Sequence, residues 1–292
     1  MQPQNPFPLR GVIGVVANSP DEIDLASAKG LQCVEIRADL LLDCGMALNE
    51  LLSVIGKAKA ADLATLFTLR HPTHGGKFGG NEDERVAINR RALSAGADII
   101  DLEWNTDASA AMLAENVPMV LSYHDFTGMP DDSQLNSLTG EMCATRPTAI
   151  KIVPTASTTA DAARMLRWSN SATPAEVVRI GFAMGESGSC SRILTTAFGA
   201  PITYASFGEA VAPGQVAIAE LLNIYRVPEL NQHTSVTAVA GDSSTAMETV
   251  VRLNEEYQAE SRNIVAVNFA GASVEDLNRY RTDLRIETIH ST

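Results

Sequence analysis

Thr148-Ala149-Ile150-Lys151-Ile152-Val153-Pro154 is a short apolar stretch that predicts a buried β-strand with one lysine at its centre. Burying an ammonium group among such neighbours is costly unless a partner or a chemical task compensates. Desolvation also lowers the pKa of a lysine, and a neutral amine attacks carbonyl groups to form a Schiff base. The alternative is an edge strand whose lysine extends to water.

Composition limits the classes of function. The 292 residues, 45% hydrophobic and 20% charged, suit one large globular domain, alone or with a small second piece. The net charge of −13 argues against a nucleic-acid or anionic-membrane partner. The N-terminal residues do not resemble a secretory signal, no apolar run has bilayer-spanning length, and the four cysteines have no paired spacing. A cytoplasmic protein with reduced thiols and no zinc site is expected.

From Gly11 onward, apolar strand-like runs alternate with helical patterns. Eight strand–helix units in about 220 residues favour an α/β fold, a closed (β/α)8 TIM barrel. A doubly wound open sheet is the competing architecture. The predicted strands are Gly11–Ala17, Cys33–Leu40, Ala64–Arg70, Asp98–Trp104, Pro118–Phe126, Ala149–Pro154, Val177–Ala183 and Ile202–Ser206, and the last helix of the set is Gln215–Tyr225.

A barrel gathers its chemistry at the C-terminal ends of its strands. At several predicted strand ends, polar residues share one face of the strand. Charged side chains do not suit an apolar core, so this pattern predicts a polar pocket. For any single pair, a structural ion pair is the alternative. The residues are Glu35, Arg37 and Asp39, then Thr68 and Arg70, then Asp101 and Glu103, then Ser122 and His124, and finally Lys151.

His124 ends the fifth predicted strand, next to the strand of Lys151. A lone histidine beside apolar residues is usually a satisfied core histidine. An amine that forms an imine needs a proton shuttle, however, and imidazole titrates in the useful range. A metal site built from His71, His74, His124 and Glu35 is a weak alternative, because an acid cluster is missing.

At this point the sequence resembles the type I 3-dehydroquinate dehydratase family, over about residues 11–227. Each motif alone is weak, but their order and spacing are specific. The motifs are Val34-Glu35-Ile36-Arg37-Ala38-Asp39, Phe67-Thr68-Leu69-Arg70 with Gly75-Gly76, Asp101-Leu102-Glu103, Ser122-Tyr123-His124-Asp125-Phe126, Ile150-Lys151-Ile152, Met184-Gly185 with Ser191-Arg192, and Ala212-Pro213-Gly214-Gln215.

The resemblance implies that Lys151 forms an imine with the C3 carbonyl of 3-dehydroquinate, a step of the shikimate pathway. His124 would remove a proton from C2 and protonate the departing C1 hydroxyl, a net syn loss of water that gives 3-dehydroshikimate. The resemblance also implies a small-molecule substrate, no metal and no cofactor, and a homodimer is expected.

The resemblance further implies a set of substrate-binding residues. Arg192, at the start of a helix, would hold the substrate carboxylate. Gln215 belongs to a loop that closes over the site. Glu35, Arg37 and Arg70 would fix the ring hydroxyls, and Met184 would pack against the substrate.

Two positions depart from the family pattern. The family usually has a glutamate before the paired glycines, where this chain has His74. That acid is thought to set the state of the catalytic histidine, and Glu103 is a possible partial substitute. The lid motif usually carries a serine where this chain has Val211, so about 1 kcal/mol of substrate binding is expected to be missing.

The resemblance implies a dehydratase domain of residues 1–227, followed by a C-terminal tail of residues 228–292. A polar linker precedes a second short alternation of strands and helices. Its order weakly resembles the start of shikimate dehydrogenase, without a dinucleotide motif. A degenerate remnant that binds or packs is one interpretation, and a solubilising or dimerisation appendage is the other. The predicted elements are Val236–Ala240, Thr245–Glu260, Ile264–Phe269, Val274–Leu284 and Ile286–Ile289.

Two other functions stay open on the sequence alone. A different Schiff-base barrel enzyme, such as an aldolase, would keep Lys151 without needing the Arg192–Gln215 carboxylate site. A non-catalytic binding or regulatory paralogue would fit His74, Val211 and the degenerate tail.

Overall fold

The computed structural model describes residues 7–171, 177–208, 214–241 and 244–292. Strands and helices alternate through these residues, as the α/β prediction requires. The chain divides into two compact units, which are described separately. One comprises Met1–His124, Ser133–Ile152 and Thr173–Arg179, and the other comprises Asp125–Asp132, Val153–Ala172 and Ile180–Thr292.

All eight predicted barrel strands are present. Strands β1 to β5 pair in parallel with their chain neighbours, and β6 follows β5 in the same sheet. Most residues of β2 to β6 are buried, as expected for a parallel sheet covered by helices, and the last three residues of β5 are partly exposed. The strands are β1 (Gly11–Val16), β2 (Cys33–Arg37), β3 (Ala64–Thr68), β4 (Ile99–Glu103), β5 (Met119–Asp125), β6 (Ala149–Pro154), β7 (Val178–Gly181) and β8 (Ile202–Ser206).

Helices follow the strands and cover the sheet. Three of them, the fourth, fifth and seventh, begin at a capping side chain. In the fourth, the Asn81 side chain accepts from the Glu84 N–H at 2.9 Å, while Glu84 accepts from the Asn81 N–H at 3.1 Å. The helices are α1 (Glu22–Ala28), α2 (Ala38–Asp43), α3 (Leu48–Ala60), α4 (Glu82–Ser94), α5 (Asp107–Ala114), α6 (Asp132–Ala144), α7 (Thr159–Ser169) and α8 (Ser189–Leu194).

Several predicted strands are one or two residues too long at an end, as in β3, which ends at Thr68, and β7, which ends at Gly181. Two predicted elements differ more. The second strand ends at Arg37 rather than Leu40, because the backbone turns there (φ −78°, ψ 78°) and the leucine-rich segment that follows forms α2. The predicted helix Gln215–Tyr225 begins with a two-residue strand instead, β9 (Val216–Ala217), which pairs in parallel with Ala205 and Ser206 of β8. Only 218–224 is helical, and its last residues, Glu220–Ile224, form a π-helical turn.

The tail forms the expected small α/β appendage. Its three strands are parallel, in the order β11-β10-β12. The second tail helix is shorter than predicted, because the backbone leaves helical geometry at Tyr280 (φ −100°, ψ 15°). A domain boundary at residues 227/228 stays a prediction. The tail elements are β10 (Ser235–Ala240), α9 (Ser244–Ala259), β11 (Ile264–Phe269), α10 (Val274–Arg279) and β12 (Ile286–Ser291).

A helix that crosses a bilayer has to be both long enough and apolar enough. Among the residues described above, no helix meets both requirements.

Candidate active site

Lys151 is buried in the middle of β6, and its side chain contacts a carboxylate. Only 4% of the residue is exposed, and its Nζ lies 2.8 Å from Oδ2 of Asp101 on β4. Burial lowers the pKa of Lys151, while Asp101 opposes that shift. Lys151 is therefore not the edge-strand lysine of the alternative interpretation, since β6 lies between β5 and β7.

Asp101 is the residue on which the cations of this region converge. Its Oδ1 accepts from Arg70 Nη2 at 2.7 Å and from Ser122 Oγ at 2.7 Å, and its Oδ2 accepts from Lys151. Burial alone would raise the pKa of Asp101, but Arg70 and Lys151 outweigh burial and hold that pKa well below its usual range. The carboxylate is therefore charged and binds two cations at once.

His124, near the end of β5, lies against Arg70. Nη1 of Arg70 is 3.2 Å from Nδ1 of His124 and 3.4 Å from Ser122 Oγ. Burial lowers the pKa of His124 well below its usual value, and the charges of Arg70 and Lys151 lower it further, against the opposing charge of Asp101. His124 is therefore neutral at physiological pH, the form that can accept a proton.

Glu103, the expected substitute for the missing acid, is engaged by other groups. Its Oε2 pairs with Nη2 of Arg85. Its Oε1 lies 3.6 Å from Arg70 Nη1 and accepts from the His71 N–H at 3.3 Å. Two arginines therefore neutralise this carboxylate, and a direct role on His124 stays a prediction.

Arg85 was missed by the sequence analysis, although a signal for it existed. The side chain is fully buried, and α4 buries Arg85, Asn89 and Ala92, which follow the helical spacing i, i+4, i+7. A charged residue on that buried face needs an internal partner. Its Nε donates to the Leu69 carbonyl at 2.9 Å, so Arg85 also holds the chain next to Arg70.

Glu35 and Arg37 both have local partners. Glu35 Oε1 accepts from Thr68 Oγ1 at 2.8 Å. Arg37 makes a two-pronged contact with Asp39, with distances of 2.9 Å and 2.8 Å, and the same carboxylate accepts from the Lys77 N–H at 3.1 Å. These contacts tie the ends of β2 and β3 to the loop of Gly75, Gly76 and Lys77.

Steric crowding by the backbone explains why the second of the paired glycines, Gly76, is a glycine. A Cβ on Gly76 would lie 2.1 Å from the Arg70 carbonyl oxygen, so no other residue fits without a backbone shift. His74 lies in the turn just before them and is half-buried. Burial lowers the pKa of His74, and the charges of Arg70 and Arg85 lower it further. His74 in turn contributes to lowering the pKa of His124.

The remaining predicted residues, Met184, Arg192 and Gln215, belong to the other unit. Arg192 is 2% exposed, and its guanidinium lies 4.5 Å from the centre of the Phe182 ring. Burial lowers the pKa of Arg192 to about 10. Arg192 is the fourth of the six residues of α8, so it lies in the last turn of this short helix, whereas the prediction placed it at the helix start.

Close backbone packing holds Gln215 in this unit near Met184. A Cβ atom added to Gly214 would lie 2.6 Å from the Gly185 carbonyl oxygen. Gly214 (φ +70°) and Gly185 (φ +84°) therefore meet backbone to backbone, next to Gln215 and Met184 respectively. Val211, the departure in the lid motif, lies outside the described residues.

The arrangement in the first unit is suited to Schiff-base chemistry. A buried lysine with a lowered pKa can attack a ketone, Asp101 can balance the charge of the resulting iminium, and a neutral histidine lies on the intervening strand. This is the class of an imine-forming α/β-barrel lyase.

Comparison with known proteins agrees with that class. A profile of the family "Type I 3-dehydroquinase" matches residues 14–232. A 3-dehydroquinate dehydratase of Dehalococcoides mccartyi is 33% identical over 225 residues, which cover 75% of this chain and 96% of the relative. The structure of 3-dehydroquinate dehydratase from Geobacillus kaustophilus superposes with a TM-score of 0.65 at 22% identity, over 75% of this chain and 90% of that one.

A longer relative also matches. The bifunctional 3-dehydroquinate dehydratase/shikimate dehydrogenase of Arabidopsis thaliana is 31% identical over 265 residues, 87% of this chain. The chain spans 43% of the length of that relative. This chain belongs to the type I 3-dehydroquinase family. The predicted family and the (β/α)8 barrel are therefore confirmed.

Proposed function

We propose that this chain dehydrates 3-dehydroquinate to 3-dehydroshikimate, a reaction of the shikimate pathway, through an imine on Lys151. Family membership and the names of its relatives support the reaction. The single observation that supports the residue assignment is the contact of 2.8 Å between the buried Lys151 Nζ and Asp101, beside His124.

The first step joins the substrate to the enzyme. Neutral Lys151 attacks the C3 ketone. The carbonyl oxygen leaves as water, carrying one amine proton and one proton taken from solvent, and the iminium on Nζ keeps the second amine proton. Burial favours the neutral amine that attacks. Asp101 stabilises the iminium that results, because an anion at hydrogen-bond distance favours the charged form. Asp101 is thus a positioning and charge-balancing residue.

The second step removes water from the ring. His124 takes a proton from C2, and the electron pair moves into the iminium to give a neutral enamine. The enamine then expels the C1 hydroxyl, which His124 protonates as it leaves, and the iminium reforms. Hydrolysis of this iminium releases 3-dehydroshikimate and regenerates Lys151. One histidine serves first as base and then as acid.

The other predicted residues bind the substrate in this proposal. In the first unit, Glu35, Arg37 and Arg70 present charged donors and acceptors to ring hydroxyls. In the second unit, Arg192 binds the carboxylate, which matches a guanidinium fork. Met184 supplies an apolar surface, and Gln215 belongs to a closing loop. We extend the proposal to a cytoplasmic homodimer, which analytical ultracentrifugation and localisation of a tagged protein would test.

A weakly active regulatory paralogue is the second candidate. It is favoured by one feature, His74 at the position where the family usually has a glutamate. The described contacts of Lys151, Asp101 and His124 favour a working enzyme instead, because they leave the imine chemistry in place. An aldolase would share the lysine but would not lose water from 3-dehydroquinate.

Turnover is tested by mixing the protein with 3-dehydroquinate and following the ultraviolet absorbance of the conjugated enone product. The variant Lys151→Met is compared with the control Lys57→Met. Lys57 pairs with Asp24 at the surface and has no predicted role in the reaction. We expect the enone to form with wild type and Lys57→Met, and not with Lys151→Met. A folded wild-type protein without turnover would favour the paralogue.

A further inference from the structure

The contact between Arg70 and His124 fixes which nitrogen of the imidazole can act. A guanidinium has only N–H donors and does not lose its proton in proteins. Since Arg70 Nη1 lies 3.2 Å from His124 Nδ1, that ring nitrogen must be the acceptor. A neutral imidazole has one acceptor nitrogen, so its proton is on Nε2. The basic lone pair of His124 is therefore covered by Arg70.

The charges around His124 keep it in this neutral form. Arg70 beyond β3, Lys151 on β6 and His74 in the turn before the glycines all disfavour an imidazolium, and Asp101 on β4 favours it. An imidazolium would also direct an Nδ1–H at a guanidinium N–H. The free protein thus holds His124 with a proton to give and no accessible lone pair to receive one.

The two ends of the Arg70 guanidinium are held unequally. Nη2 is 2.7 Å from Asp101, whereas Nη1 has longer contacts, 3.4 Å to Ser122 and 3.6 Å to Glu103, besides His124. A new acceptor can therefore draw Nη1 away while Nη2 stays on Asp101. A substrate hydroxyl is such an acceptor.

We propose that Arg70 is a substrate-operated cover on the catalytic base, in which a ring hydroxyl of the bound substrate draws Nη1 away and releases the Nδ1 lone pair of His124. The proposal rests on the proposed function, because it assigns His124 as the base. Once released, Nδ1 accepts the C2 proton, the C–H bond breaks, and its electron pair enters the iminium. Recognition of the ring hydroxyl and proton abstraction are thereby coupled. A cyclic keto acid without hydroxyls would form the imine but would keep its α-hydrogens.

Nitrogen-15 NMR of the histidine side chains tests the cover directly, and the chain has only five histidines. In the free protein at neutral pH we expect His124 to show the Nε2–H tautomer. In Arg70→Met we expect mixed tautomers and a higher pKa of His124. The matched control is Arg226→Met, which removes a buried arginine paired with Glu229 and should leave the His124 signals unchanged. An Nδ1–H tautomer in the wild-type free protein would overturn the proposal.

A second measurement needs no variant and therefore no assumption about folding. The probe is 3-oxocyclohexane-1-carboxylate in D2O, with 3-dehydroquinate as reference. We expect borohydride to trap both compounds on Lys151, while α-hydrogen exchange of the probe is at least 100-fold slower than that of 3-dehydroquinate. Comparable exchange rates at equal trapping would overturn the cover. Absence of trapping with 3-dehydroquinate would instead refute the proposed function.

Discussion

Replacing Asp101 with asparagine tests the charge balance at the centre of the site. Asparagine keeps the size of the side chain and an acceptor for Ser122, but it leaves Lys151 and Arg70 without the carboxylate they contact at 2.8 Å and 2.7 Å. A charge pair near 4 Å in a medium of effective dielectric about 20 is worth ~4 kcal/mol. Removing one partner of a buried pair costs a similar ~3–5 kcal/mol. Since 1.36 kcal/mol is about a factor of ten, the protonated imine loses roughly a thousandfold in relative population.

We therefore expect Asp101→Asn to lower turnover by at least about 100-fold, measured by enone absorbance at saturating 3-dehydroquinate. The control is Asp98→Asn, which removes a carboxylate that binds the Thr65 N–H at 2.8 Å near the start of β4, far along the strand from the site. Circular dichroism and the melting temperature establish that each variant is folded. A folded Asp101→Asn protein with turnover within fivefold of wild type would refute the role of Asp101 as the charge partner of the imine.

Three further predictions follow from the other side chains and from the tail. His124→Ala should keep borohydride trapping but lose roughly 10²–10⁴ in turnover, the usual worth of a general acid–base; turnover within a few-fold of wild type would make His124 structural. His74→Glu replaces a group that lowers the pKa of His124 with one that raises it, so the acid limb of the pH–rate profile should move to higher pH; superimposable limbs would show that residue 74 does not influence His124. A chain ending at Pro228 should keep dehydratase turnover but melt at a lower temperature, because Arg285 of the tail donates to the Ala197 carbonyl at 2.9 Å and stacks on Phe198 at 4.1 Å; a truncated protein that is folded and dimeric yet inactive would contradict this.

The barrel strands were predictable because each is a short run of mostly apolar residues, the composition of a buried parallel strand. The predicted boundaries are wrong where contacts in the folded protein, rather than the local sequence pattern, determine where an element ends. The second strand ends at Arg37, whose side chain turns to Asp39, two residues on. Val216 and Ala217 are compatible with a helix by composition, and only their pairing with β8 makes them a strand. Pairing across sequence separations of this kind is not encoded in local periodicity.

The identity of the site residues was predictable in part, but their partners were not. Asp101 was visible on a polar strand face, yet its contact with Lys151 joins β4 to β6 across β5. Alternate strands of a flat sheet lie about 10 Å apart, so such a contact requires the curvature of a barrel, in which side chains from alternate strands form one layer. The same geometry brings Arg70, beyond β3, to His124 on β5. Sequence patterns give the face of each residue and leave this curvature undetermined.

The central claim is that Lys151 carries the substrate as an imine. Borohydride added together with 3-dehydroquinate should reduce the imine to a stable amine, inactivate the protein and add the mass of the bound ligand to the peptide that contains Lys151. Because the chain has five lysines, peptide mapping distinguishes this site from the other four. Modification of a different lysine, or none while turnover proceeds, would contradict the mechanism.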